Sequence, residues 1–250
     1  MSDFDRGYPR PGAIARPDMA VDAGLRSFML GVYNKLAIGL VVSAALAYLT
    51  SAYAPVANLL YVVSPEGRLM GFTTLGMVIR FAPIVVIFAS MFFMRNPSPA
   101  ASGALYWTIV ATIGAGLGVW LLAYTGTSVF MTFLITATSF GVLSLIGYTT
   151  KRDLTGMGSF LIMGVWGLIA ASLLNMFLHL SAIYWIVNIL GTLIFAGLIA
   201  YDTQRLKMTY YQLGGDTAAM GVATNYGALS LYINFINLFQ FLLSMFGVRR

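Results

Sequence analysis

Seven long apolar runs constrain this chain more than any other feature of its sequence. Each is close to the roughly 20 residues that an α-helix needs to cross a bilayer. The chain is 59% hydrophobic and 9% charged, whereas a soluble domain carries about 25% charged residues. These values predict an all-α membrane protein, a bundle of seven transmembrane helices. The runs are 30–53, 75–94, 104–124, 129–148, 157–178, 182–201 and 228–246.

Two segments make up the predicted domain organisation. Residues 1–28 are polar and contain three prolines, which discourage a helix, so we expect a flexible N-terminal tail. No short apolar core with a small-residue cleavage site follows the start, which argues against a signal peptide. Residues 29–248 are expected to form one membrane domain, because helices stacked in a bilayer share one interior.

The connections between the runs differ in length. The connections 125–128 and 179–181 are so short that the helices they join must be antiparallel neighbours. Residues 54–74 could hold a short surface helix. The polar stretch 206–227, which contains a pair of glycines, is interpreted as the longest loop.

Basic residues are distributed unequally between the two sides of such a bundle. With a cytoplasmic N-terminus, nine basic residues fall inside and three outside, and the positive-inside rule favours this orientation. The inner nine are Arg6, Arg10, Arg16, Arg26, Arg95, Lys151, Arg152, Arg205 and Lys207, and the outer three are Arg68, Arg249 and Arg250. We therefore predict a multi-pass protein with its N-terminus in the cytoplasm.

The sequence lacks the residues that several kinds of chemistry require. There is no cysteine and only one histidine, so thiol chemistry and multi-histidine metal sites are excluded. Metalloprotease, phosphate-loop and serine-hydrolase motifs are missing. We expect no enzyme, no cofactor and no nucleic-acid partner. His179, at the end of the fifth run, is either an interfacial residue or a residue with a ligand-binding or pH-sensing role.

Two charged residues adjoin the apolar runs, where an unpaired charge is costly. Asp202 directly follows the sixth run, and it is either a functional acid or a helix-end residue paired with Arg205. Arg80 lies in the second run and either meets Asp202 or snorkels to lipid phosphates. The two residues belong to opposite ends of inward-running spans, so their contact requires a tilt, a deep cavity or a kink at Pro83.

Small and polar residues inside the runs indicate which helix faces are buried. Asn234 and Asn237 are three residues apart and share a helix face. That face should point into the bundle or a wet cavity, because lipid cannot satisfy amides. Gly114 and Gly118 fit a close helix crossing, which we expect inside one bundle and not between two copies.

Three stretches resemble a known family. They are 197–204 (Gly-Leu-Ile-Ala-Tyr-Asp-Thr-Gln), 149–161 and 228–239, and they occur in order with a fitting number of spans. Together they resemble the Bax inhibitor-1 family, the transmembrane Bax inhibitor motif proteins, over about 30–246. The resemblance implies a seven-helix bundle in which the last helix is central and wrapped by the other six. It also implies a bacterial inner-membrane location.

The resemblance further implies a passive calcium or cation leak with a pH- or latch-controlled gate. In the family, two aspartates of the last two spans share a proton, and an arginine of the second span latches against one of them. Asp202 matches the first aspartate and Arg80 the latch, whereas Asn234 replaces the second aspartate. An Asp–Asn pair loses the coupling between two carboxylates. We therefore expect weak pH dependence, with Asp202 and Asn234 still offering oxygen atoms to a passing calcium ion.

A second function remains open from the same resemblance. The protein could be a non-conducting interaction partner that modulates other membrane proteins, such as a quality-control protease. The polar tail 1–28 would suit this role, and the buried face that joins Asp202 to Asn234 would suit a leak. The lipid bilayer is the expected environment, and the sequence leaves the oligomeric state open.

Overall fold

The computed structural model describes residues 23–64 and 69–250, and these residues are almost entirely helical. Seven of the described helices are long and apolar enough to cross a membrane, which confirms the predicted all-α bundle. The elements are α1 (Ala23–Ala52), α2 (Ala54–Leu60), β1 (Tyr61–Val63), β2 (Leu69–Phe72), α3 (Thr74–Phe93), α4 (Pro99–Ala123), α5 (Gly126–Thr149), α6 (Thr155–Leu178), α7 (Ser181–Gln212) and α8 (Thr217–Phe246).

The two ends of the bundle are marked by different contacts. At one end, which we call the N-face, the starts of α4 and α8 meet, and Asn225 Nδ2 donates to Ser102 Oγ at 2.8 Å. The connections 94–98, 150–154 and 213–216 belong to this face. At the other end, the C-face, the residues after α8 run beside the α4–α5 connection, where Thr125 N donates to Val248 O at 3.0 Å.

α8 is the central helix, as expected. In the most apolar 18-residue stretch of α8, 56% of the window is buried, whereas the corresponding share is 44% or less in each of the other six spans. It packs mainly against four helices, α1, α4, α5 and α7. α3 instead packs on α4, and α6 packs on α7, so the expectation that six helices wrap α8 is corrected to four close neighbours and two outer helices.

The two outer helices present apolar side chains outward. Only 11% of the most apolar stretch is buried in α3, and the same fraction in α6. Phe92, Phe93 and Phe177 are among their exposed residues. Such extensive apolar surface suits contact with lipid chains and not with water, which agrees with a multi-pass membrane protein.

Small residues bring α1 and α4 close together. A Cβ added at Gly114 would lie 2.7 Å from Ser43 Cα, and Gly118 faces Thr50 in the same crossing. Glycine permits this approach because it carries no side chain. The predicted close crossing is therefore confirmed as packing inside one bundle.

The prediction of a long loop at residues 206–227 is wrong. α7 and α8 both continue through it and leave only 213–216 as a turn. Gly214 and Gly215 supply the turn with positive φ values of 56° and 90°, which glycine adopts at little cost. Asp216 then caps α8 by accepting hydrogen bonds from two backbone amides of its first turn, at 2.9 and 3.0 Å. The polar residues extend helices past the apolar runs and do not end them.

The predicted boundary of the tail lies too late in the chain. α1 already begins at Ala23, and Leu25 and Phe28 are buried in the core. These apolar side chains extend the helix in front of the first apolar run. The rest of the predicted tail, residues 1–22, lies outside the described residues.

The connection 54–74 contains the expected short helix, α2, and a hairpin that the sequence analysis missed. β1 and β2 pair antiparallel, with Tyr61 opposite Phe72, and the two rings lie 5.8 Å apart. The strands are only three and four residues long. Segments this short give too weak an alternation of apolar and polar residues to be recognised.

Candidate ion site between the last two helices

Asp202 is buried where α7 packs against α8. Only 4% of the residue is exposed. Its Oδ2 atom accepts hydrogen bonds from Ser230 Oγ at 2.5 Å and Asn234 Nδ2 at 2.7 Å. Its Oδ1 atom lies 2.9 Å from Arg205 Nη2. A buried carboxylate requires such partners, because its lost hydration must be replaced; here they are two neutral donors and one cation.

Helical spacing explains how these four side chains meet. Ser230 and Asn234 are four residues apart on α8, and Asp202 and Arg205 are three apart on α7, so each pair shares a helix face. Arg205 is 47% exposed, and its guanidinium carbon lies 5.6 Å from the centre of the Tyr201 ring. The arginine thus covers the carboxylate on the side of the N-face.

The residues that follow Asp202 anchor α7 to its other neighbours. Thr203 donates to Ser144 Oγ of α5 at 3.4 Å. Gln204 accepts a hydrogen bond from Leu154 N at 2.8 Å and donates to Arg152 O at 2.7 Å. Consecutive residues of one motif therefore hold α8, α5 and the α5–α6 connection in place around the site.

A cavity of about 490 Å³ opens toward the C-face. We call it the C-face cavity, and α3, α4, α6, α7 and α8 all contribute to its wall. Gln240 and Phe241 of α8 line its inner end. They are six and seven residues beyond Asn234, about 9–10 Å along a helix that rises 1.5 Å per residue. Only a short segment of α8 therefore separates this cavity from the carboxylate of Asp202.

The structure does not bring Arg80 to Asp202, so the predicted latch contact is wrong. The guanidinium carbon of Arg80 lies 4.8 Å from the centre of the Phe72 ring. Arg80 lines the C-face cavity together with Asn188, which precedes Asp202 by fourteen residues of α7, about 21 Å along the helix. Arg80 sits in the second turn of α3, close to the C-face, whereas Asp202 lies toward the N-face.

Arg205, the other predicted partner, is the cation that pairs with Asp202. Asn234 contacts the carboxylate as its position suggested. Asn237 does not, and its Nδ2 donates to Ile233 O of the preceding turn at 2.8 Å. Ser230 was not singled out as a site residue, although its spacing of four from Asn234 was a signal that could have found it.

His179 lies far from this site. It ends α6 in a left-handed conformation with φ of 51°, and it is exposed at the C-face. Its Nδ1 atom lies 3.1 Å from Phe177 O. This geometry shows a helix-ending residue without direct contact to Asp202, and its role as a pH sensor stays a prediction.

The donor set bears on which ions the site could hold. In the described part of the chain, no three His, Cys, Asp or Glu residues come together as a metal site. The side chains that contact Asp202 include no second carboxylate among the described residues, and Ser230 and Asn234 add neutral oxygen atoms. Calcium takes six to eight oxygen ligands, so most of its ligands here would be water molecules.

These features define a multi-pass membrane protein whose central helix pair buries one carboxylate. The chain belongs to the Bax inhibitor-1 family, since the model for the inhibitor of apoptosis-promoting Bax1 matches residues 25–250. This family assignment agrees with the resemblance found in the sequence.

Relatives in several bacteria are similar over nearly their whole length. The chain is 65% identical to an uncharacterized protein of Caulobacter vibrioides, with 100% of both chains covered. It is 40% identical to an uncharacterized protein of Rickettsia prowazekii, with 92% of each chain covered. It is 37% identical to the inner membrane protein YbhL of Escherichia coli strain K12, over 97% of this chain and 99% of the relative.

Proposed function

We propose that this protein is a passive cation leak of a bacterial inner membrane, with calcium as the permeating ion and Asp202 as the gate acid. The observation that carries the proposal is the burial of this carboxylate between the central helix and α7. Ionisable groups inside membrane bundles are costly and mark ion or proton pathways. The Escherichia coli relative, which is named an inner membrane protein, supports the proposed location.

The proposed pathway joins the C-face cavity to the carboxylate. A cation would enter past Gln240, pass the partly buried Asn237 and reach Asp202 beside Asn234. The segment between Gln240 and Asn234 spans about 9 Å of α8. Amide side chains along this segment offer oxygen atoms to a cation that has lost part of its water.

Arg205 closes the pathway toward the N-face. Its guanidinium occupies Oδ1 of Asp202, while hydrogen bonds from Ser230 and Asn234 occupy Oδ2. A calcium ion must displace the arginine to coordinate the carboxylate. With one carboxylate the ion binds weakly, which suits conduction because an ion that binds tightly cannot leave.

The expected response to pH follows from the same donor set. One carboxylate faces two neutral side chains and an arginine, so the proton coupling of a carboxylate pair is missing. We therefore propose a leak that changes little between about pH 6 and 8.

Calcium flux into liposomes that contain the purified protein tests the proposal. Asp202→Asn removes the charge but keeps the side-chain shape, and we expect it to abolish the flux. The matched control is Asp216→Asn at the exposed turn, because asparagine caps a helix about as well as aspartate. Wild-type and Asp202→Asn proteins with equal flux would contradict the proposed role of the carboxylate.

The non-conducting interaction protein remains the alternative from the sequence. Its supporting feature was the tail, and residues 1–22 lie outside the described residues. No contact in the described part of the chain favours it. If the wild-type protein shows no flux at any pH, the result favours this alternative.

A further inference from the structure

Arg80 lies where two cavities meet. It lines the C-face cavity and also a neighbouring cavity of about 460 Å³ between the hairpin, α3 and α4. Trp120 and Gln240 are the other residues shared by both. Among residues 23–64 and 69–250, Arg80 has no carboxylate partner, and its guanidinium lies over the Phe72 ring. An arginine cannot lose its charge in practice, so no acidic side chain of these residues competes with an anion for this guanidinium.

The surroundings of Arg80 suit a molecule with a polar and an apolar part. The 460 Å³ cavity is walled largely by apolar side chains, including Leu60, Ile79 and Val119. The C-face cavity adds polar groups from Asn188 and Gln240. An acyl chain fits the first environment, and a charged headgroup fits the second.

The position of the cavities favours a lipid as the source of that molecule. The C-face cavity takes side walls from α3 and α6, the two outer helices, and its back wall from α8. Both outer helices expose apolar surface that suits the bilayer. A phospholipid could therefore enter sideways from the membrane.

A second cation does not line the C-face cavity but interacts with a residue that does. Arg249 interacts with Tyr124 and Tyr184, and Tyr184 lines the cavity. Among the described residues neither Arg80 nor Arg249 forms an ion pair with an acidic side chain, which favours a headgroup with net negative charge over a zwitterionic one. Arginine also presents a planar pair of donors that matches phosphate oxygens.

We propose that these joined cavities bind an anionic phospholipid, with the phosphate on Arg80 and an acyl chain in the 460 Å³ cavity. This inference does not depend on the leak, because it concerns binding alone. A lipid bound in this way would stand in the C-face cavity beside Gln240, so it would compete for space with a cation that enters the proposed pathway there.

Native mass spectrometry of the full-length protein in detergent tests the inference. Phosphatidylglycerol and phosphatidylcholine are titrated against the wild type, Arg80→Gln and Arg95→Gln. The control Arg95→Gln removes the same charge from the exposed connection after α3. We expect Arg80→Gln to weaken phosphatidylglycerol binding about tenfold, the cost of losing one charged hydrogen-bond partner. Phosphatidylcholine should bind all three proteins alike.

Further arms separate the remaining explanations. Arg80→Lys keeps the charge but loses the paired donors, and we expect intermediate binding; it also serves if Arg80→Gln does not fold, as judged by thermal unfolding. Inorganic phosphate at millimolar concentration should not displace the lipid. Three outcomes would each overturn the proposal. Arg80→Gln and Arg95→Gln bind phosphatidylglycerol equally, the wild type binds both lipids equally, or inorganic phosphate displaces the lipid.

Discussion

Arg205 Nη2 lies 2.9 Å from Asp202 Oδ1, so the buried acid is neutralised by a cation one turn away on its own helix. The two partners differ in exposure, because the side chain of Asp202 is 6% exposed and that of Arg205 is 47% exposed. The arginine can therefore leave the pair and keep its head in water, whereas the carboxylate cannot. This asymmetry makes Arg205 the movable member of the pair.

Replacing Arg205 is expected to increase cation flux. Arg205→Gln removes the cation that a permeating ion must displace from Asp202. An ion pair with a half-exposed partner is worth about 1 kcal/mol or less, so we expect up to about a fivefold increase in the initial rate. Liposome calcium flux measures it, with Arg152→Gln as the control because the hydrogen bonds of Arg152 at this face, to Thr150 Oγ1 and from Gln204 Nε2, are made by its backbone. A decrease in flux would contradict the gating role of Arg205.

The spans and the location of the acid were predictable from the sequence. Apolar length fixes each membrane helix regardless of its partners, and Asp202 stood out because charge is rare at the edge of an apolar run. The pairing with Arg205 was also within reach, since it needs only helical spacing.

Contacts between distant helices were not predictable in the same way. The rejected latch between Arg80 and Asp202 depended on depth along two helices, and a sequence gives the order of spans without their tilt or offset. The loop 206–227 was mistaken because polarity marks the end of the bilayer and not the end of a helix. The turn residues Gly214 and Gly215 were the better signal.

The crossing of α1 and α4 predicts opposite effects for two neighbouring glycines. Gly114→Ala would place a Cβ 2.7 Å from Ser43 Cα, whereas a Cβ at Gly116 meets nothing within 4 Å. We expect Gly114→Ala to lower the free energy of unfolding by about 1–3 kcal/mol through overpacking. Gly116→Ala should raise it by up to about 1 kcal/mol, because alanine favours the helix. Thermal unfolding in detergent compares them, and equal shifts would contradict the close crossing.

Gln204 is expected to protect the α5–α6 connection from proteolysis. Its amide bridges Arg152 O and Leu154 N, and Gln204→Leu removes both hydrogen bonds. Local opening should then become easier, so trypsin should cut after Lys151 and Arg152 several times faster. The control is Gln212→Leu at the exposed end of α7, which should be cleaved at the wild-type rate. An unchanged cleavage rate for Gln204→Leu would show that these two hydrogen bonds contribute little to holding the connection closed.

The predicted orientation can be measured directly because the chain has no cysteine. Single cysteines are introduced at Arg95 and Lys151 of the N-face and at Gly126 and Ser181 of the C-face. In intact bacteria, a maleimide that cannot cross the inner membrane should label only the C-face pair. This follows from the excess of basic residues at the N-face connections. If Lys151→Cys is labelled and Gly126→Cys is protected, the orientation is the opposite of the predicted one.

Asn234→Asp is expected to create a pH-dependent gate. Asn234 Nδ2 lies 2.7 Å from Asp202 Oδ2, so a second carboxylate would stand in direct contact with the first. Two acids in direct contact do not both ionise easily, so they share one proton. Calcium flux into liposomes should then change steeply between about pH 6 and 8, where the wild type should stay nearly flat.

Two further variants show whether that response belongs to the pair. Asn237→Asp adds the same charge one turn away, where the native side chain bonds to Ile233 O instead of Asp202, so its flux should follow pH less steeply. In the double variant Asn234→Asp, Asp202→Asn, one carboxylate remains and the steep response should disappear. A wild type that already shows a steep transition near neutrality would contradict the single-acid gate. His179→Gln would then be the next variant to measure, because histidine titrates in that range.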